Sequence, residues 1–420
     1  NAGPAGVAGA AHAAPRFILL HRARTFSDSE QRWIGWERKR GKLEQLIAAL
    51  AQPGTGSAFL DLGELSRLAA DTRYVVTLDS DTQLPPGRLR ELVGVAAHPQ
   101  NRPRLAADGR SVIAGYGILQ PRVVTPLPPP RDFTRFHWLF AGQSGIDPYS
   151  ASTSEVYQDL FGEGSFSGKG LLDVHAVHAV LGGRLPAGQV LSHDLLEGSI
   201  ARCAAVTDIT VIEDAPFHAD VAASRVHRWT RGDWQLLPFL LNPRRYRLRA
   251  INRWKMFDNL RRSLVAPLSL ALLLLALLGQ GLSPWAALAL IAAAFSAGPL
   301  MGAVAGFSPS RDDLAKYHFY GQAVTDLARA LWAGLWHMVQ LLQQARAALD
   351  ASGRALYRMT VSRRHLLQWT PAATAQAQAS TGFAALARRH RAEPLAAFLL
   401  LGALLAAGTP YPALATMLCL

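Results

Sequence analysis

The sequence predicts an α/β domain followed by helices that lie on and cross a membrane. Three observations carry this expectation. Apolar, β-branched runs bounded by turn residues alternate with helical patterns between about residues 17 and 240, as in a sheet covered by helices. Residues 264–310 and 395–420 contain no charged side chain, and about 20 apolar residues span a bilayer as a helix. Residues 244–262, just before the first of these runs, hold eight Lys or Arg against one acid, Asp258.

The chain has 420 residues, enough for a catalytic domain and a further module. Half of its residues are hydrophobic and the mean hydropathy is +0.11. The net charge of +13 would ordinarily suggest nucleic acid. Here the charge gathers beside an uncharged run, where basic flanks stay cytoplasmic and meet anionic head groups. A lipid bilayer is therefore the expected partner and nucleic acid is not. Cys203 and Cys419 are too few for a disulfide framework or a zinc cluster, and read as inert thiols in a reducing compartment. Residues 1–16 are of low complexity with no secretory pattern, and the chain reads as starting within a longer protein.

Residues 17–20 are a short apolar run with strand character. Ser27 with Glu30 has the spacing of a capping box, which predicts a basic helix from residue 31 through 42 and on to residue 50. Its Arg38, Lys39, Arg40 and Lys42 suit phosphates, although a solvated helix face has the same composition. Residues 60–70 read as a short helix. Residues 74–78, Tyr-Val-Val-Thr-Leu, read as a buried strand that ends on Asp79 and Asp81. Two carboxylates at a strand end need a partner. Hard oxygens suit Mg²⁺ or Mn²⁺, and open α/β sheets bind ligands beyond their strand ends. A polar turn looks the same, so the surroundings must decide.

Residues 88–97 read as a helix, 112–120 as a strand closed by Pro121, and 133–140 as a helix. The polar stretch 143–154 has the length of a functional loop. Residues 161–170, Phe-Gly-Glu-Gly-Ser-Phe-Ser-Gly-Lys-Gly, suggest backbone held against a ligand, although the spacing is not that of a Walker loop. A helix is expected over 171–181. His193 and Asp194 precede a helix, where Asp194 fits either a general base or an N-cap. Residues 209–213 read as a strand. Arg225, Arg228, Trp229 and Trp234 then offer guanidinium groups for phosphate and ring faces for a sugar. Asp173, His175 and His178 lack a third metal ligand and read as ordinary helix residues; His218 and His227 are equally uninformative.

The domain is expected over residues 17–243 and a basic interfacial helix over 244–262. A transmembrane hairpin over 263–310 turns at 279–284. A cytoplasmic or interfacial helical segment covers 311–394, with one amphipathic helix at 329–349. A further span covers 395–420.

The series Asp79-x-Asp81, His193-Asp194 and Arg225-x-x-Arg228-Trp229 resembles the ordered motifs of processive GT-A glycosyltransferases. Four longer strings narrow the likeness: Trp-Glu-Arg-Lys-Arg-Gly-Lys at 36–42, the glycine-rich run at 161–170, Ser-His-Asp-Leu-Leu-Glu-Gly at 192–198, and Ser-Arg-Arg-His-Leu-Leu-Gln-Trp at 362–369. They look like the membrane glucosyltransferase region of cyclic β-1,2-glucan synthases, over residues from about 17 to the end.

That resemblance implies a GT-A-like, Rossmann-related mixed sheet followed by interfacial and transmembrane helices. It implies UDP-glucose as donor, Mg²⁺ or Mn²⁺, and inversion to a β-1,2-linked glucan chain. Asp79 and Asp81 would hold metal and UDP, and Asp194 would deprotonate the acceptor. Arg225, Arg228 and Trp229 would meet the diphosphate and acceptor sugar. Lys42 would contact phosphate, and Lys169 and Trp234 the acceptor side. Growth on a protein tyrosine is also implied, with Tyr149 the first candidate and Tyr157 the second. So are a downstream phosphorylase-like region and a multi-pass inner-membrane location with a cytoplasmic catalytic domain.

Two other classes compete. A haloacid-dehalogenase-type phosphohydrolase needs Thr or Val two residues past the second aspartate, where this chain has Gln83. A non-enzymatic membrane subunit explains the uncharged runs but not the acids, arginines and tryptophans that precede them.

Overall fold

In the computed structural model the described residues are 17–54, 58–126, 134–140, 155–308, 315–369, 374, 387–388 and 390–419. The chain opens with a hairpin, β1 (Thr25–Ser27) and β2 (Arg32–Ile34). Phe26 and Trp33 meet edge to face across it, with centroids 6.0 Å apart, and such cross-strand aromatic pairs favour a hairpin over a helix. The Glu30 amide donates to Ser27 Oγ at 3.3 Å within the turn. The apparent capping box therefore closes a hairpin, and helix α1 (Arg38–Ala51) begins later than expected. Residues 17–20 form no strand, and nearby Arg22 makes a single bridge to Phe59. Within 60–70 only the 3₁₀ turn Gly63–Ser66 forms.

Next come β3 (Tyr74–Thr77), β4 (Thr82–Gln83), α2 (Arg88–Ala97), and the small β5 (Arg104–Leu105) and β6 (Val112–Ala114) pair. Strand β7 (Ile118–Val124) runs through Pro121 instead of ending there. Proline supplies no ladder donor, and the pairing slips in register between Pro121 and Arg122 to accommodate it. Helices α3 (Arg135–Phe140) and α4 (Val156–Phe161) precede β8 (Gly170–Asp173). Helix α5 (Val174–Leu181) starts only after that strand. Then follow α6 (Asp194–Ala201), the long β9 (Cys203–Glu213) and α7 (Ala219–Gln235).

The five-stranded sheet has the order β3-β8-β7-β9-β4. Only β7 and β9 are parallel; the other neighbours are antiparallel, so the sheet is mixed. Side chains alternate along the strands as a two-sided sheet requires. Ile118, Leu172 and Cys203 pack with α5, α6 and the Ile47–Leu50 face of α1, while Leu119, Leu171 and Ala204 pack with Leu92 and Ala96 of α2. Each fully buried Leu or Ile contributes about 2 kcal/mol. Because β3 and β4 lie at opposite edges, residues 78–81 must cross one end of the sheet. That crossing carries Asp79 and Asp81.

After the short α8 (Leu237–Leu241) and α9 (Pro243–Tyr246) comes α10 (Ala250–Leu277), one unbroken helix joining the basic segment to the first uncharged run. The basic segment therefore does not form a separate helix. Its first turns are bolted to the domain: buried Lys255 donates to the Glu163 and Gly164 carbonyls at 2.8 Å each, and Asn252 donates to Glu163 Oε2 at 2.8 Å. Gly279 and Gly281 take positive φ in the turn, Ser283 caps the next helix, and α11 (Pro284–Ala305) follows. Among the described residues α10 and α11 are the two helices long and apolar enough to cross a membrane. On α11, Leu290, Met301 and Val304 are exposed.

The amphipathic stretch 329–349 is split at Gln340 between α12 (Lys316–Val339) and α13 (Leu341–Tyr357). The final apolar run forms α14 (Ala392–Ala406) and α15 (Pro412–Cys419) rather than one span. At 1.5 Å per residue the 15 residues of α14 reach about 22 Å, short of a 30 Å hydrocarbon core. Leu273, Leu277, Ile291, Leu341 and Leu401 join these helices in one apolar cluster.

Candidate active site

The charged residues gather where residues 78–81 cross the sheet. Lys39, on the first turn of α1, donates from Nζ to Asp79 Oδ1 at 2.5 Å and to the Gly168 carbonyl at 2.9 Å. Thr77, the last residue of β3, donates to the same carbonyl at 2.9 Å. Lys169 lies on the other side, with Nζ 3.5 Å from Asp79 Oδ2 and 2.5 Å from Glu213 Oε2. Arg225 of α7 pairs with Glu213 Oε1 at 2.8 Å. Register explains the meeting. Gly170 pairs with Thr77 in the ladder and Glu213 pairs with Thr82, so both strand ends face the crossing.

Asp194 reaches the same point from α6. A Cβ placed on Gly168 would lie 2.9 Å from Asp194 Oδ1, and Gly168 has φ +88°. Glycine is needed there both for its conformation and for the approach of the carboxylate. Two other glycines of the run serve the sheet. A Cβ on Gly164 would strike the Ala205 amide at 2.5 Å, and one on Gly170 the Leu119 carbonyl at 2.2 Å. In the run, Gly164 and Gly170 thus let backbone meet backbone, and Gly168 lies at the site.

The electrostatics follow from these contacts. Burial would raise the Asp79 pKa, but Lys39 and Lys169 outweigh it and hold the carboxyl below its usual range. Burial pulls Lys169 down, but Glu213 and Asp79 prevail and push it above the usual lysine value. His193, the residue before α6, lies with Nδ1 3.0 Å from Glu197 Oε2 and 3.3 Å from Asp194 Oδ1. Burial acts to lower the His193 pKa, yet the two carboxylates raise it to about 9.

The proton on His193 is therefore linked to folding. Its contribution is complete below the ordinary value of 6.5 and is lost as pH rises through about 9. We expect the stability difference between wild type and His193→Gln to shrink across that window by on the order of 2–3 kcal/mol. Thermal melts at several pH values check this; a difference independent of pH would contradict it.

Lys42 is exposed, and Lys39, one turn earlier on α1, is the residue that reaches Asp79. Lys169 sits between Asp79 and Glu213. Trp234 donates from Nε1 to Ser263 Oγ of α10 at 3.1 Å, tying α7 to that helix. Tyr157 receives the Lys255 ammonium on its ring at 5.0 Å. Tyr149 lies outside the described residues. Cys203 is buried, which pushes its thiol pKa up. Arg225 stacks over Trp229 with Cζ 5.0 Å from the ring centroid, and Arg228 of the same helix stacks over Trp369 at 4.6 Å.

Glu213, Glu197 and Trp369 were not singled out by sequence reasoning. Glu213 had one available signal, an acid ending a strand as Asp79 does. Asp81 is exposed and forms no ion pair among the described residues. It could hold a cation together with Asp79, whose two oxygens face Lys39 and Lys169. This donor set of hard carboxylate oxygens fits Mg²⁺ or Mn²⁺.

Fold and site together define an α/β domain with acids and guanidinium groups at one end of a mixed sheet, followed by two helices long and apolar enough to cross a membrane. No family model matches the chain. It is 43% identical over 364 residues to the curated cyclic beta-(1,2)-glucan synthase NdvB of Rhizobium meliloti (strain 1021), an alignment that covers 86% of this chain. The aligned stretch is similar to a region of that cyclic β-glucan synthase, and the chain spans 13% of the length of that relative.

Proposed function

We propose that this chain is a membrane-bound, inverting glucosyltransferase that moves glucose from UDP-glucose onto a growing β-1,2-glucan. The observation that carries the reading is that Asp194 and the Lys39-bound Asp79 meet at Gly168 at one end of the sheet, with Arg228 near enough for both acids to act on its charge. The family likeness supports a glycosyltransferase, and the mixed sheet is compatible with a GT-A-like fold. Asp194 takes the proton from the acceptor hydroxyl as that oxygen attacks the anomeric carbon. UDP departs from the opposite face, so a single displacement inverts the centre. Arg228 and Arg225 meet the negative diphosphate. Trp229 offers a ring face to the acceptor sugar. Asp79 and Asp81 would hold Mg²⁺ or Mn²⁺, which offsets charge on the departing UDP when bound.

We assign residues 17–243 to the transferase domain, and 244–262 to the approach to a membrane hairpin at 263–310. The basic flank supports a cytoplasmic domain on the inner membrane. A tyrosine such as Tyr149 is the proposed protein primer, and a phosphorylase-like region elsewhere in the protein is the proposed partner. Equilibrium binding separates the classes. UDP held in a manner that depends on Mg²⁺ or Mn²⁺, without turnover of an aryl phosphate, supports the transferase. Aryl phosphate hydrolysis would favour the phosphohydrolase, and absence of both would favour a non-enzymatic subunit.

A further inference from the structure

Arg228 is a half-buried cation with an unusual set of neighbours. Burial and the nearby Arg225 lower its pKa, while Asp194, Asp79 and Glu213 lie close enough to act on its charge. Among the described residues none of these acids comes within ion-pair distance of it. Its close partner is the face of Trp369, with Cζ 4.6 Å from the ring centroid. Arg38 of α1 approaches the same ring at 5.9 Å. A guanidinium over an indole gains attraction without giving up its hydrogen-bond donors. Among the described residues its five N–H groups have no hydrogen-bond acceptor, which leaves them for a planar or anionic ligand.

Trp369 is brought there by a deliberate path. After α13 the chain makes a π turn (Arg358–Ser362), and Arg363 and His365 adopt left-handed φ of 51° and 56°. Such conformations cost energy in non-glycine residues, and several anchors offset them. The His365 amide donates to the Ser29 carbonyl and the Leu367 amide to Glu30 Oε1, both at 2.7 Å. Gln235 Nε2 donates to the Leu366 carbonyl at 3.0 Å, and Arg231 donates to the Gln368 carbonyl at 2.6 Å. Leu366 and Leu367 are buried beneath. These bonds fix residues 365–368 against both the β1–β2 turn and α7, so the indole that follows is held on either side.

We propose that Trp369 is a positioning residue that holds the Arg228 guanidinium, its donors unspent, toward the donor diphosphate. The inference rests on the glucosyltransferase reading above. It assigns a task in the donor site to a segment that lies beyond the membrane hairpin in sequence.

A double-mutant cycle read as the KM for UDP-glucose tests it, in membranes containing the protein. Trp369→Ala is expected to raise the donor KM about tenfold, and Trp369→Phe to stay within about threefold of wild type. In an Arg228→Ala background, Trp369→Ala should add little. Trp369→Leu decides the matter if the Ala variant fails to fold, since it keeps bulk but removes the π face. A donor KM for Trp369→Leu close to that expected for Ala supports the assignment, and a wild-type KM overturns it. Additive effects of Trp369→Ala and Arg228→Ala, or a Phe variant as impaired as Ala, also overturn it while leaving the transferase reading intact. Wild-type membranes that never use UDP-glucose would overturn both.

Discussion

Replacing Asp194 by Asn is expected to lower glucosyl transfer about a thousandfold while leaving UDP affinity within about threefold of wild type. A positioned general base contributes roughly 10²–10⁴ in rate, and here one carboxylate serves a single displacement. The asparagine keeps the volume at the start of α6 and fits against Gly168, where the side chain oxygen approaches a glycine that admits no Cβ. His193 retains Glu197 at 3.0 Å, so the local fold survives the loss of one carboxylate. The effect should therefore fall on kcat and not on the donor KM. Transfer measured with saturating UDP-glucose checks it. Substantial activity in Asp194→Asn would move the base elsewhere, with Glu197 the next acid to test.

Replacing Asp79 by Asn is expected to act on the donor instead, with UDP affinity falling about a hundredfold. Two effects add. The variant loses a carboxylate proposed to hold the cation, and it leaves Lys39 and Lys169 without the charge that both contact. Lys169 still has Glu213 at 2.5 Å, so the buried ammonium keeps one partner and the sheet end should remain folded. Equilibrium binding of UDP with and without Mn²⁺ is the measurement. Wild type should show a strong dependence on the cation and Asp79→Asn little or none. Equal cation dependence in the two would remove Asp79 from the metal site.

The parts of this arrangement that were legible in the sequence are the local ones. The strand at 74–77 and the helix at 88–97 follow from β-branching and from 3.6-residue periodicity. Asp79, Asp194 and the Arg225–Trp229 group could be singled out because each stands at a recognisable junction or spacing. What was hidden depends on distant partners. Lys39 and Lys42 are equivalent by composition, and only the packing of α1 decides which one faces Asp79. Strand β7 continues through Pro121 because β9 can slip in register opposite it. Ser27 and Glu30 satisfy a helix-cap pattern, but the Phe26–Trp33 pair turns the same residues into a hairpin. In the glycine run, Gly164 and Gly170 admit the backbone of Ala205 and Leu119 while Gly168 admits Asp194, partners that only the folded sheet brings together. Trp369 reaches Arg38 from more than 300 residues away in the chain, and no local pattern encodes that meeting.

These assignments meet in one product. Membranes containing the protein, incubated with UDP-[¹⁴C]glucose and Mg²⁺ or Mn²⁺, should yield labelled glucan whose linkage analysis shows 2-substituted glucose in the β configuration, and the label should vanish in Asp194→Asn. Label in α-linked or otherwise substituted glucose, or incorporation that survives Asp194→Asn, would contradict an inverting β-1,2-glucosyltransferase built on this site.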